Sequence, residues 1–561
     1  MSASRPFRRT VRRSTVGAAA AAMAMTVATT AALTVPVDSA SAHPRSQQQV
    51  LLLSVDGLHQ ADLVRYVDDH QDSALASLVR TGTSFTHAQT PVPSDSFPGM
   101  VGQVTGGNPK TTGIYYDVSY DHSLLAAGTT SCLGATPGAA INDDESADLD
   151  PSRLDAGQGL AGLPNSILQM TGAPISLLNT SSFPVDPATC KPVLPHSQLR
   201  VNTVFEVARQ HGLRTAWADK HAAYDILQGP SGTGIQDLFT PEINSDTGAG
   251  TDWTGDNAKT QQYDGYKATA VLNEIDGYDH GRSHQVGTPA IFGMNFQSVS
   301  TAEKLPTSGG QPGGYQTDGL SPGPVLASAL SFVDGRVGAL LRELKTQHLD
   351  KTTTVILSAK HGQSPTDPSA LLRIPDGPIL DGLDAGWAAG HPGAAPLVAS
   401  ATNDDAMIIW LSDRSAQAAA YAKDYLMHHD GTGNDIHGNP RAYTASGLRT
   451  VYAGPDAATY FGTKPGDTRV PDLYAIAQHG VVFTGKKGKI AEHGGADPQD
   501  RNVPLVVSGP HRERRVVNTA VETTQIAPTI LQLLALDPKA LQAVQIEETA
   551  RLPLEADIDR S

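Results

Sequence analysis

Four side chains, far apart along this 561-residue sequence, have the types that together can hold a divalent metal and activate a hydroxyl on it: Asp56, Ser96, His361 and His493. Ser96 lies in "PVPSDSFPGMVGQVTGGNPKTTG", Pro91 to Gly113, on a turn just before apolar residues at helical spacing. The free amides and dipole of a helix N-terminus favour an anion there. Each residue also has a plainer role. Asp56 can be a turn residue, Ser96 a helix cap, and each His a polar loop residue.

The elements that must carry these groups are legible as apolar runs and helical periods. "QQVLLLSVDG" (Gln48 to Gly57), "TPAIFGMNFQ" and "TTTVILSAKHG" read as buried strands ending at polar turns, and "RTAWADKH" and "VPLVVSGP" as further strands. "ADLVRYV", "SALASLVRTG", "LRVNTVFEVARQHG" and "TTQIAPTILQLLAL" read as helices. "GPVLASALSFVDGRVGALLRELKTQ" carries apolar residues at 325, 326, 330, 333, 337, 340, 341 and 344, an amphipathic helix. Strand and helix alternate, which predicts an α/β fold with a largely parallel central sheet and helices on both faces. Such sheets place their sites at the carboxyl ends of the strands, where Asp56, Gln297 and His361 all fall. Residues 115–200 and 365–465 interrupt the pattern and read as inserted, cap-like segments.

Taken in order, "VDGLHQADL", "HAQTPVPSDSFPGMVGQVTGGNPKTTGIYYD", the strand ending in "HG", "EHGG" with "VPLVVSGP", and "TTQIAPTILQLLAL" resemble the alkaline phosphatase superfamily. The branch is that of the type I phosphodiesterases and nucleotide pyrophosphatases. The resemblance implies an alkaline-phosphatase-like catalytic domain over 43–540, followed by a tail, 541–561. It implies that Ser96 is the nucleophile, that Asp56, Ser96 and His361 ligate one metal, and that His493 ligates the other. Zinc is the expected ion, with calcium or manganese as alternatives. Phe97 falls where a substrate-stacking aromatic can lie, and Asp117 near an Asn that holds a phosphoryl oxygen. The implied reaction is hydrolysis of a small phosphate ester, a phosphodiester or pyrophosphate bond, through a covalent serine intermediate.

The chain departs from that pattern at three ligand positions. Lys360 stands where Asp is expected before His-Gly, and Gln297 and Thr301 stand where an Asp and, four residues on, a His are expected. A protonated Lys has no lone pair and cannot bind a metal. In one account a single metal remains and Lys360 supplies the missing positive charge. The sulfatase branch resembles that arrangement, although Met100 stands where its signature has Arg. In the other account the chain is a non-catalytic binding protein on a phosphatase scaffold. Asp219 and His221, after a strand in "WADKHAAYDIL", are candidate replacement ligands beside Gln297 and Thr301. His280 and His284 in "DGYDHGRSH" are weaker ones.

The remaining features bound the setting. "RPFRRTVRR", an apolar stretch and "ASA" at Ala40–Ala42 read as a secretory signal spanning 1–42, cut after Ala42. Removing it leaves 36 basic against 56 acidic residues. That balance argues against nucleic acid and anionic membrane surfaces as partners. No other run reads as a membrane span. The two cysteines, Cys132 and Cys190, are expected to pair in an oxidising compartment. The expected product is a secreted, metal-dependent ester hydrolase.

Overall fold

A computed structural model of the chain describes residues 48–554 apart from 144–146, 158–166, 249, 465, 486–487 and 511. The signal segment and its cut lie outside the described residues. In chain order the principal strands are β1 (Gln49–Val55), β2 (Gly82–Gln89), β3 (Ala216–Ala218), β4 (Asp237–Phe239), β5 (Ile291–Phe296) and β6 (Thr353–Ser358). They continue with β7 (Val398–Asn403), β8 (Ala406–Leu411), β9 (Leu448–Ala453), β10 (Leu473–Ala477), β11 (Asn502–Ser508), β12 (Arg515–Val517) and β13 (Val521–Glu522). The principal helices are α1 (Gln60–Asp69), α2 (Ala74–Arg80), α3 (Ser96–Thr105), α4 (Val204–Gln210), α5 (Asn257–Ile275), α6 (Ser298–Lys304), α7 (Pro324–Thr346) and α8 (Ile526–Leu533).

The central sheet runs β12-β2-β11-β6-β1-β5-β3-β4, with β13 also on β2. From β6 to β4 every pairing is parallel, whereas β11 is antiparallel to both β6 and β2. All seven residues of β1 are buried, as a strand covered on both faces requires. Its side chains alternate between two cores. Leu51, Leu53 and Val55 join the layer of α2, α5 and α7, while Val50 and Leu52 join that of α3, α4 and α8. The apolar stripe of α7 is buried at Val325, Leu326, Leu330, Val333, Val337, Leu340 and Leu344. By length and composition this helix could also cross a membrane, contrary to the expectation that no such run follows the signal. Its stripe instead forms part of the core.

The 365–465 stretch contains most of an antiparallel sheet, β7-β8-β10-β9, which extends beyond it to Ala477. One face of this sheet has its own core with Met407, Ile409 and Leu411. The other sets Ile408 and Trp410 against Tyr115 and Tyr116. Asp405, in the β7–β8 turn, donates its N–H to the His493 carbonyl at 3.3 Å, so the insertion borders the expected site. In the 115–200 stretch Cys132 and Cys190 form a disulfide. Past residue 540 the chain forms a short helix, Gln542–Glu547, with Ala543 and Val544 buried.

Candidate active site

The parallel strands deliver their carboxyl ends to one edge of the sheet, and most of the expected residues arrive with them. Asp56 follows β1, Asp219 and Lys220 follow β3, Gln297 follows β5, and Lys360 and His361 follow β6. Ser96 comes from elsewhere, as the first residue of α3. Asp95 is the cap of that helix, its carboxylate accepting from the Phe97 N–H at 3.0 Å. The Ser96 hydroxyl is therefore released from capping. A Cβ on Gly99, one turn along, would stand 2.2 Å from the Lys360 carbonyl oxygen. Only glycine lets α3 lie this close to the 360–361 backbone, and that contact sets Ser96 beside His361.

Three groups converge on Ser96 Oγ. Lys220 Nζ donates to it at 2.9 Å, His361 Nε2 lies at 3.1 Å, and Asp56 Oδ2 lies at 3.3 Å. His361 Nδ1 is 3.0 Å from the Gly362 carbonyl, which can only accept. The ring proton is thereby assigned to Nδ1, leaving Nε2 as an acceptor for the serine proton. Burial pushes the His361 imidazole down to about 3, against the pull of Asp56, so the ring is neutral. The ring of His493 packs at 3.9 Å between centroids, and burial and His361 hold it well below the ordinary histidine value.

Behind Ser96 the charges are paired. Lys360, fully buried, donates to Asp219 Oδ1 at 2.9 Å and to the Tyr224 hydroxyl at 2.7 Å, and lies 3.9 Å from Asp56 Oδ2. Burial lowers its pKa, and Asp219 and Asp56 pull it back up. Lys220 Nζ is 3.6 Å from Asp56 Oδ2. Burial pushes the Asp56 carboxyl up, but Lys360, His361, Lys220 and the Gln297 amide outweigh it, and Asp56 is held well below the usual range.

Other expected residues lie apart or are engaged elsewhere. Gln297 reaches the site, where its amide donates to Asp56 Oδ2. Thr301 does not: its hydroxyl bonds the Asn257 amide at 2.9 Å and the Thr260 hydroxyl at 3.2 Å. His221 turns to Glu242, at 2.8 Å. His280 is held by Asp237 and the Met170 carbonyl, and His284 is an exposed partner of Asp279. Phe97 is buried in the core with its ring 4.8 Å from that of Tyr224, so it offers no open face for stacking. Asp117 is half-buried and, after burial itself, is the main charge raising the Asp95 carboxyl. Tyr224 and Asn295 are site residues that the sequence did not point to, and Lys220 figures there only as one of three polar residues after a strand, with Asp219 and His221 preferred to it. The position of Lys220, directly after a strand and next to Asp219, was the available signal.

The zinc pair that the resemblance implies does not fit the residues around Ser96. Asp56 Oδ2 already accepts from Gln297 and from the Asn295 amide at 3.3 Å, with the Ser96 hydroxyl and two ammoniums close by. Asp56 Oδ1 is buried without a hydrogen-bond partner, but the neighbouring Asp219 carboxylate is already taken by Lys360 and by the Trp217 indole, each at 2.9 Å. Metal-type donors do gather in two other groups among the described residues: His59, Asp62 and Glu303, and Asp404, Glu492 and His493. In the second group Lys304 and Lys489 are both ion-paired to Glu492.

A parallel α/β sheet with a helix-borne hydroxyl, carboxylates and imidazoles at its carboxyl edge defines an alkaline-phosphatase-like phosphoester hydrolase. Solved structures with this fold include murine ectonucleotide pyrophosphatase / phosphodiesterase 5, at 13% identity and TM-score 0.51 over 88% of this chain and 96% of that one. Alkaline phosphatase PafA superposes at TM-score 0.56 with 14% identity, over 88% of this chain and 96% of its own. The chain belongs to the type I phosphodiesterase / nucleotide pyrophosphatase family, whose pattern matches residues 50–131 and 204–499. The unmatched interval contains Cys190, and Cys132 lies just past the first matched segment. No curated protein matches the chain.

Proposed function

We propose that the chain is an exported hydrolase of phosphodiester or pyrophosphate bonds in which Ser96 is the attacking hydroxyl. The observation that carries this reading is the convergence of Lys220 Nζ, His361 Nε2 and Asp56 Oδ2 on Ser96 Oγ, within 2.9 to 3.3 Å. In the step this geometry supports, the Ser96 proton passes to His361 Nε2 as the Oγ–P bond forms. The P–O bond to the leaving group breaks, and the leaving oxygen takes that proton. Water then adds at phosphorus, giving a proton to Nε2. The Oγ–P bond breaks and Ser96 recovers its proton.

A nucleoside-bearing ester is the favoured substrate class. An inactive variant of the murine relative has been solved in complex with AMP. Here the buried Phe97 leaves base recognition to other residues. Zinc is the ion the resemblance implies, and Asp404, Glu492 and His493 are the donors nearest that expectation. The step above draws only on protein groups. Export rests on the signal-like 1–42 and on the Cys132–Cys190 disulfide.

The test is hydrolysis of bis-p-nitrophenyl phosphate by the mature protein and by Ser96→Ala. The expected loss on substitution is at least ~10³-fold in kcat. A variant that keeps the full rate overturns the nucleophile assignment.

A further inference from the structure

We propose that the Ser96 centre binds phosphate oxygens without a metal ion, the Lys220 and Lys360 ammoniums supplying the positive charge that the implied zinc pair would supply. The inference deepens the reading of Ser96 as a phosphoester site and rests on it.

Three observations carry it. First, the changes at the expected ligand positions run in one electrostatic direction. Lys360 puts a cation where a carboxylate is expected, and Gln297 puts a neutral donor where another is expected. Each lowers the negative charge that a dication needs around it, and the ammonium adds a charge that repels one. Thr301, at the third position, is turned to Asn257 and Thr260 on α5. Second, the carboxylate oxygen facing Ser96 is already filled with donors. Asp56 Oδ2 accepts from Gln297 and Asn295, and lies 3.3 Å from Ser96 Oγ, 3.6 Å from Lys220 Nζ and 3.9 Å from Lys360 Nζ. A metal there would have to displace several donors and sit beside two like charges. Third, the cations are placed for phosphate. Lys220 is the more exposed of the two, and its Nζ rests on the hydroxyl that attacks. A phosphoryl oxygen arriving at Ser96 comes within reach of that ammonium as a new acceptor. Lys360 is fixed behind it by Asp219 and Tyr224, as a charge that need not move.

The charges also close without an ion. Asp56 faces both Lys220 and Lys360, and Asp219 faces Lys360, two charges of each sign.

The experiment uses the full mature chain, stripped with a chelator and shown to be metal-free by elemental analysis. Inorganic phosphate is titrated into it by calorimetry at about pH 6, where the singly charged ion predominates, with and without added zinc. The expected result is phosphate binding by the metal-free protein, changed less than about twofold by zinc and weakened about tenfold or more in Lys220→Met. Lys360→Met is expected to act in the same direction. Because it leaves two buried carboxylates short of a partner, Lys220→Met, nearer the surface, is the decisive variant if the other fails to fold. Phosphate binding that appears only after zinc is added overturns the proposal. So does one equivalent of tightly bound zinc that is lost in Asp56→Asn. These readouts do not involve turnover. A protein that binds phosphate metal-free but leaves bis-p-nitrophenyl phosphate intact sinks the proposed function and supports this inference. An active enzyme whose phosphate binding requires zinc does the reverse.

Discussion

Lys360 illustrates how much a buried charge depends on its immediate partners. It has no exposed surface, and its ammonium is satisfied by Asp219 Oδ1, by the Tyr224 hydroxyl and by the Tyr224 ring, 4.1 Å from centroid to Nζ. Hydrogen bonds to charged groups contribute about 1.5–3 kcal/mol. Tyr224→Phe keeps the ring and deletes one acceptor. It should lower unfolding free energy by about that amount, read from a denaturant midpoint with unchanged slope. An unchanged midpoint would show that water replaces the hydroxyl. At this scale the sequence was informative where a residue broke a motif. Lys360 stands out because Asp is expected before His-Gly. Lys220 does not, because a lysine after a strand looks like any surface lysine until the fold brings residue 96 to it. Thr301 and His221 show the converse. Both had suitable types and positions, and both are engaged by neighbours that no spacing rule reveals.

At the scale of elements, the parallel strands were legible because burial on both faces demands unbroken runs such as "VLLLSV". β2, "GTSFTHAQ", escaped notice because its polar content gives no such run, although its first four residues are buried. β7 to β10 were hidden by the Ala, Gly and Asp around them. The antiparallel direction of β11 was not readable, since a buried strand has the same composition in either direction. The helices were found by period, and α5 adds a feature that period cannot show. Glu274 on α5 is buried, its Oε2 has no hydrogen-bond partner, and burial and the neighbouring Asp237 raise its carboxyl well above 4.5. The folded state therefore keeps a proton that the unfolded state releases. This contribution to stability is fully present below about pH 4.5 and is lost as pH rises towards the folded-state value. Glu274→Gln cannot release that proton. Melting temperatures at pH 5 and pH 8 should differ less in the variant than in the parent. An equal difference would mean that Glu274 titrates normally.

For the molecule as a whole, the sequence disclosed the class of fold and the cysteine pair, while the packing of the insertion against Tyr115 and Tyr116 needed three dimensions. The Cys132–Cys190 bond spans 58 residues. In the chain-entropy model a loop of that size contributes about 4 kcal/mol. Reduction, or paired replacement by serine, should lower thermal stability accordingly, as scanning calorimetry can measure. A melting curve insensitive to reductant would show that the loop is held by its packing alone. The proposed export carries its own check: the N-terminal residue of protein recovered from the medium should be His43.

The even match of carboxylates and ammoniums around Ser96 has a consequence for which esters the protein prefers. A centre with no surplus of positive charge is an adequate host for a singly charged guest and a poor one for a doubly charged guest. A phosphodiester carries one negative charge, and a monoester near pH 8 carries close to two. Discrimination by valence then arises from the resting balance of the site, before any group on either side of phosphorus is recognised. The expected outcome is a higher kcat/KM for bis-p-nitrophenyl phosphate than for p-nitrophenyl phosphate at pH 8. A reversed order would reveal a source of positive charge beyond the two lysines.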